Sequence, residues 1–546
     1  MNIKNTLIAF PACLLILLIV NLVYVSTTKR PQLNQLVIGS IGDASFLNPV
    51  LAQDTASSDI NSFVFNGLLK YNKDLILTGD LARAWAVENG PKPRITFWLR
   101  RDVRWHDGYP FTSRDVCFTY ETIIDEKTNT VRKSDFELVE RVEAPDPYTV
   151  RVTYKEPFSP ALETWTIGII PEHLLKGKDI NTAHFNHSPV GTGPFRFVSW
   201  VSDEKIVLEA NDDYFEGRPG LDRIIYRIIP ETSLNEMELL TGGVDYTGVF
   251  PHQYTRIQRN RNLKVYKQPS LGYTYIGYNL KNPLFSDKRV RKALTCAINR
   301  DAIVRYVLYG LGHVATGPFP NHLWYADKSI SPLPYDPARA KVLLKEAGWS
   351  DTDGDGILDK DGRPFRFELI TNSGNDTRRD IGVLVQRYLR QVGIDVTLQL
   401  YEWSVFLKNF INPRHFDACI LGWSLSVDPD AYSIWHSSQI KDGFNFVGYK
   451  NSEVDRLLVL GRKTFAIEKR KEIYHEIHRL IHEDQPYTFL FVPDSTPALS
   501  IRFKRMITDS SGKQLLVPIE MTKAGLMVDI IHWLVPKAKG PVISQI

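Results

Sequence analysis

Two stretches of the sequence space their residues as metal ligands are spaced. Residues 349–364 read WSDTDGDGILDKDGRP, with five aspartates between Asp351 and Asp361. Counted from Asp351, the residues Asp351, Asp353 and Asp355 take the first, third and fifth positions of an EF-hand-type calcium loop. Gly356 stands at the sharp turn, Ile357 offers its backbone carbonyl and Asp359 takes the ninth position. The twelfth position, which wants a bidentate glutamate, is Gly362, and the strand-like FRFELI follows where a second helix belongs. The loop reads as a weak structural calcium site or as an empty solvated turn, and no cofactor is required. In HEIHRLIH, His475, His478 and His482 share one helical face and could hold zinc or nickel. Ile473, Ile477, Leu480 and Ile481 form the opposite side, so a solvated polar face is the simpler account.

Signatures of covalent or hydrolytic chemistry are missing. The sequence has no GxSxG, no HExxH and no paired Cys–His motif, so an enzyme is not expected. PVGTGPF (189–195) has the glycines of a phosphate loop but no GK[ST], which argues against nucleotide binding. A net charge of +4 over 546 residues, with no arginine-rich stripe, argues against nucleic acid. Cys117, Cys296 and Cys419 are far apart in apolar-periodic segments and read as buried, inert thiols.

The elements that must position a site fall into two styles. Residues 6–25, TLIAFPACLLILLIVNLVYV, carry no charge and include the fourth cysteine, Cys13. The run is long enough to span a membrane and predicts an uncleaved signal anchor, with a cleaved signal as the second reading; either way the rest of the chain is exported. Up to about residue 270, short strands such as QLVIGS, ITFWLRRDVRW and TVRVTY alternate with loops and few helices. From about 280 to 485, helices and strands alternate, as in DPARAKVLLKEAG, FRFELI, RRDIGVLVQRYLRQVG and IDVTLQLY. That alternation predicts an α/β lobe. A chain of this length needs more than one core, and no flexible linker separates the parts.

Several stretches together resemble the family 5 extracytoplasmic solute-binding proteins, the peptide- and oligopeptide-binding components of ABC importers. They are LARAW (81–85), ITFWLRRDV with WHDGYPFTSRDVCFTY (105–120), PVGTGPF, DKRVRKALTCAINR (287–300), FDACILGW followed by DPD (416–430), and EDQPYTFLFVPD (483–494). Their order and spacing cover nearly everything from about 35 to 535. The resemblance implies an α/β, periplasmic-binding-protein-like clamshell (type II, cluster C) with an N-terminal apolar helix. Residues 1–30 are the anchor, and 31–270 the first lobe, with an extra subdomain at about 50–165. Residues 271–485 are the second lobe, and 486–546 return to the first. The implied partners are a peptide or similar solute and permease subunits, with the membrane reached through the N-terminal helix. The chain is expected to be a monomer that binds no nucleic acid, in the periplasm or at the cell exterior and tethered to the inner membrane.

The resemblance also places the solute. In the relatives a strand ends in Gly-Trp, whose backbone binds peptide backbone; here these are Gly422 and Trp423, followed by Ser424. An aspartate three residues after the tryptophan pairs with the peptide's amino group, but here that residue is Ser426, so Asp428 or Asp430 is the expected substitute. Trp403 matches a tryptophan that lines side-chain pockets, and arginines of those pockets are replaced by Phe410 and Ile420. Tyr273 is expected near the crossing between lobes. The loss of arginines makes a neutral or apolar solute, a modified peptide or an oligosaccharide alternatives, and nickel carriers exist in the family. A tethered sensor or chaperone is the alternative class.

Overall fold

The computed structural model describes residues 34–509 and 511–536. The segment expected as an anchor therefore lies outside the described residues, and no described helix is long and apolar enough to cross a membrane.

Two mixed sheets, each the centre of a lobe, organise the chain. The first runs in the order Leu263–Val265, Pro497–Ser500, Tyr246–Gly248, Gln35–Ser40, Arg223–Ile228, Lys205–Ala210 and Phe195–Val201. The second runs Gln268–Pro269, Tyr487–Ser495, Gly272–Tyr278, Ala418–Ser424, Arg366–Asn372 and Asp395–Tyr401, with Gly312–Val314 added beside Tyr487–Ser495. A separate four-stranded antiparallel sheet, built from Ala82–Glu88, Arg94–Leu99, Thr149–Tyr154 and Val139–Asp146, extends the first lobe. Its core is continuous with that of the first sheet, through Phe97, Trp165 and Phe195.

Local sequence explains these elements. In the helix Asp376–Arg390, the Asn375 side chain accepts from the Arg378 N–H at 3.0 Å, and Ile381, Val385 and Leu389 recur every fourth residue and are buried. The helix connects two parallel strands, Arg366–Asn372 and Asp395–Tyr401, as a right-sized crossover. In the subdomain, the Asp115 carboxylate accepts from the Thr112 N–H at 2.9 Å and fixes the start of the helix Ser113–Ile124.

The chain crosses between lobes twice, and the crossings run side by side. Gln268 and Pro269 pair with Ser495 and Asp494, and Lys267 forms an ion pair with Asp494 at 3.0 Å. Tyr487–Ser495 therefore belongs to the second sheet, where it pairs with Gly272–Tyr278. The return to the first lobe, expected at residue 486, comes instead at Thr496. YTFLFVP is apolar throughout because it is a central strand covered on both faces, and such a run does not say which sheet it joins.

The histidine helix, Ile467–Asp484, also differs from expectation. His478 lies on the face expected to be solvated, yet it is fully buried. The loop from Thr316 to Asp327 packs over that face. The Asp327 N–H donates to His478 Nδ1 at 3.1 Å, and Nε2 lies 3.2 Å from the Thr316 hydroxyl. The His482 Nδ1–H donates to the Thr316 carbonyl at 2.6 Å. Among the described residues, no histidine joins a group that could hold a metal. Burial, together with His482 nearby, lowers the His478 pKa to about 4. The fold thus favours the neutral ring, and that contribution is complete above its ordinary 6.5 and lost as the pH falls toward about 4. The His478 ring signals in an NMR titration should stay unchanged from about pH 8 to about pH 5; a midpoint near the ordinary value would contradict this burial.

Candidate functional site

A cleft of about 1610 Å³ opens between the two lobes. The strand Ala418–Ser424 brings Gly422, Trp423 and Ser424 to its wall. Opposite Ser424 the neighbouring strand has only Gly272, and a Cβ there would sit 2.0 Å from the Trp423 carbonyl oxygen. Glycine at 272 is what lets the two strand ends approach this closely. Ser424 is the last residue with a strand partner, so Leu425 and Ser426 continue along the cleft wall without one.

Trp423 is held by rings on several sides. It stacks on Phe446 with centroids 5.7 Å apart and planes 7° apart, and meets Phe444 edge-on at 5.4 Å. Behind it, Tyr275 stacks on Tyr487 at 3.9 Å, and the Trp423 Nε1–H lies 3.4 Å from the Tyr487 hydroxyl. Half-buried, the indole leaves one edge to the cleft. Trp403 reaches the cleft from the end of a short helix, where Glu402 accepts from the Val405 N–H at 3.0 Å. Its ring packs on the first lobe at Gly42, where an added Cβ would stand 3.3 Å from Trp403 Cδ1.

Tyr273 does not line the cleft. It is buried beneath it, against Tyr275 and Phe489, because both neighbouring strands and the packed faces cover the whole strand Gly272–Tyr278. Phe410 is half-buried against Tyr401, and Ile420 is in the core.

The aspartates are placed differently from expectation as well. Asp428 and Asp430 line the cleft but already have cationic partners. Both Asp428 oxygens accept from Arg470, at 2.7 Å each. Asp430 accepts from Arg462 Nε at 2.9 and 3.0 Å, and the ion pair brings Nη2 within 2.8 Å of its carboxylate. The arginines come from the two helices Ser452–Lys463 and Ile467–Asp484, whose sequence gave no hint of this pairing. A ligand ammonium would have to compete with a guanidinium, bidentate at Asp428, to reach either aspartate.

Arg462 also joins the lobes. Its Nη1 donates to the Ser134 carbonyl at 3.0 Å and to Glu137 Oε1 at 3.1 Å, both in the first lobe's subdomain. Lys463 pairs with Glu156 at 2.8 Å nearby. The lobes are in contact at this rim.

Two charged groups escaped the sequence reading. Glu163, in the cleft wall of the first lobe, has no cationic partner among the described residues. Arg378 stands behind Gly422: its Nη1–H donates to Asn372 Oδ1 at 2.8 Å, and its Nη2 lies 3.2 Å from where a Cβ on Gly422 would be. No described carboxylate pairs with it. Burial lowers its pKa to about 10, which leaves it cationic at neutral pH. Neither residue sits in a motif with a recognisable spacing.

In the acidic loop, ligand oxygens of Asp351, Asp353 and Asp359 lie within 4.8 Å of one another. Asp355 does not join them. Its carboxylate is turned to Arg366 at 3.2 Å and accepts from the Ile357 N–H at 2.7 Å. The Ile357 side chain is buried and pins the loop to the second lobe.

Comparison with known proteins decides what the cleft belongs to. Residues 77–444 match the model described as "Bacterial extracellular solute-binding proteins, family 5 Middle". The chain belongs to this family. This solute-binding protein is 40% identical over 485 residues to the oligopeptide-binding protein AppA of Bacillus subtilis, covering 87% of this chain and 89% of that one. The structure of AppA from Bacillus subtilis in complex with a nonapeptide matches with a TM-score of 0.87 at 38% identity, over 93% of this chain and 100% of that chain. NikZ from Campylobacter jejuni in complex with Ni(L-His) matches with a TM-score of 0.81 at 27% identity, over 92% of this chain and 99% of that chain. DppA from Helicobacter pylori in complex with the peptide STSA matches with a TM-score of 0.80 at 25% identity, over 92% and 98%. The α/β architecture expected from the sequence is that of the periplasmic peptide-binding proteins, and the family to which this solute-binding protein belongs is extracytoplasmic.

Proposed function

We propose that this solute-binding protein captures an oligopeptide between its lobes and presents it to the permease subunits of an ABC importer, without chemistry on the peptide. The cleft itself carries the reading. At about 1610 Å³ it exceeds the ~300–1,000 Å³ of typical small-ligand pockets. Its wall combines aromatic rings with a strand end whose next residues lack a partner, and an extended peptide can add its own backbone to such an end. The nonapeptide complex of the relative AppA supports the same solute class. Trp423, Trp403, Phe444 and Phe446 supply side-chain contact, and Leu425 and Ser426 supply backbone groups.

Closure follows from differential affinity. A peptide touching both lobes stabilises the form in which Arg462 reaches Ser134 and Glu137, and that form is what the permease meets. The protein works as a type II, cluster C clamshell and as a monomer, held at the inner membrane by residues 6–25. Mass spectrometry of solute carried through native purification tests the reading: a set of peptides is expected, and a single sugar or metal complex would contradict it. The NikZ complex makes a nickel–amino-acid complex the second reading.

The acidic loop serves as a weak calcium site in this account, with Asp351, Asp353 and Asp359 as its carboxylates. Without a bidentate glutamate its affinity falls to the ~10⁻⁴–10⁻³ M of extracellular modules. Terbium luminescence at the loop should appear in the wild type and vanish in Asp353→Asn. Peptide affinity should be the same with calcium or chelator, because the loop stands apart from the cleft lining.

A further inference from the structure

The two lobes are linked by the paired crossings, where Gln268 and Pro269 lie beside Ser495 and Asp494. They meet again where the last turn of the helix Ser452–Lys463 touches the first lobe's subdomain. Arg462 and Lys463 stand in that turn, and cations suit the C-terminal end of a helix. The first lobe answers with two acids. Glu137 follows the short helix Lys133–Phe136, and Glu156 follows the strand Thr149–Tyr154. Lys155 fastens them to one platform: its N–H donates to the Leu138 carbonyl at 2.9 Å and its Nζ to the Glu137 carbonyl at 2.7 Å.

The bonds across this rim exist only while the lobes touch. Arg462 donates to the Ser134 carbonyl at 3.0 Å and to Glu137 at 3.1 Å, and its guanidinium lies over the Phe158 ring, 5.4 Å from the centroid. Lys463 Nζ pairs with Glu156 at 2.8 Å. Asp430 and Tyr432, which hold Arg462 from its own lobe, stay with it when the lobes part, so parting strands no buried charge. Glu137, Glu156 and Lys463 keep 40%, 36% and 37% of their side chains in water even with the lobes joined, so each returns to solvent at small cost. The rim can therefore open and close. Glu137, Glu156 and Lys463 do not line the cleft, so a solute there does not meet them.

We infer that Glu137, Glu156 and Lys463, with Arg462, form an interlobe latch that sets the affinity of the cleft for every solute alike, without touching any of them. The inference rests on the reading of the cleft as an oligopeptide site that closes on its ligand, and adds a part of the closing free energy that comes from the protein itself. The latch favours the joined form before a solute arrives. Apparent affinity scales with the fraction of molecules already in the form that binds, so a weaker latch costs every solute the same factor. A residue in contact with solute acts otherwise, because its effect depends on which solute it meets. Half-exposed ion pairs are weak singly, so the expected change is moderate in size and uniform across solutes.

The test compares the wild type with the double variant Glu137→Gln/Glu156→Gln, which removes both first-lobe charges and keeps their shape. Calorimetry with a panel of synthetic peptides differing in length and side chains should show Kd raised about threefold to tenfold, by one factor for the whole panel, with thermal unfolding unchanged. Glu156→Lys alone should weaken binding too, and adding Lys463→Glu should restore it, because the exchanged charges pair again. In solute-free protein, spin labels on the two lobes should report more separated lobes in the double variant than in the wild type. Salt at about 1 M should move the wild type toward the variant's distances, since it screens half-exposed pairs. A factor that differs from peptide to peptide, an affinity unchanged in the double variant, or a charge exchange that restores nothing overturns the inference while the oligopeptide reading stands. If no peptide binds the wild type, the oligopeptide reading falls and the solute-free distances decide: equal distances in wild type and double variant overturn the latch, and a shift upholds it.

Discussion

Trp423→Ala should weaken solute binding by ~2–4 kcal/mol, about thirtyfold to several hundredfold, with little loss of fold stability. The indole is only half-buried, so its removal opens space toward the cleft and leaves most of the core intact. It is nevertheless the ring on which the wall is organised, with Phe446 stacked on it, Phe444 at its edge and Tyr275 behind. Truncation takes away the contact surface and lets Phe444 and Phe446 relax into the place the solute needs. Trp423→Phe should keep most of the affinity, because the stack on Phe446 survives and only the Nε1 contact to Tyr487 is lost. Calorimetry with a peptide mixture, beside thermal unfolding of each variant, checks both expectations. An unchanged affinity in Trp423→Ala would remove Trp423 from the site.

Arg462→Met should cost about 3–5 kcal/mol of stability, the largest effect expected of any single change outside the apolar core. The Arg462 side chain is 2% exposed and its partner Asp430 14% exposed, so the substitution leaves a carboxylate buried without its cation. It also cuts the bonds to Ser134 and Glu137 and removes the guanidinium from its position 3.8 Å above the Tyr432 ring. Both the fold of the second lobe and the closed form should suffer. Urea denaturation gives the stability, and small-angle scattering with and without peptide gives the closure. Asp430→Asn in the same chain should recover part of the loss, because the uncompensated charge is then gone. Full additivity of the two changes would mean that the pair does not act as a unit.

The architecture was legible because it is written in periodicity. The fourfold spacing of Ile381, Val385 and Leu389, and the alternation of helix and strand from about 280 to 485, state an α/β lobe directly. Gly422 and Trp423 were legible through the resemblance, since a strand that ends in Gly-Trp is a local pattern. What stayed hidden is pairing across distance. Nothing near Asp428 or Asp430 announces that Arg470 and Arg462, on two later helices, come back to neutralise them. The same holds for His478, whose polar type suggested solvent until the loop from Thr316 covered it. Tyr273 misled for the opposite reason: an aromatic near a lobe crossing has the right position along the chain, but the neighbouring strands decide its burial. Glu163 and Arg378 stand out only when each is seen to have no ion-pair partner among the described residues, and that is a property of the fold.

The most direct measurement is a calorimetric titration of refolded, solute-free protein with a defined peptide mixture, and in parallel with nickel plus histidine. The account predicts saturable binding of peptides at one site per chain, weakened about thirtyfold or more in Trp423→Ala, and no competing heat from the nickel complex. Saturable binding of the nickel complex, with no peptide binding at any concentration, would contradict it.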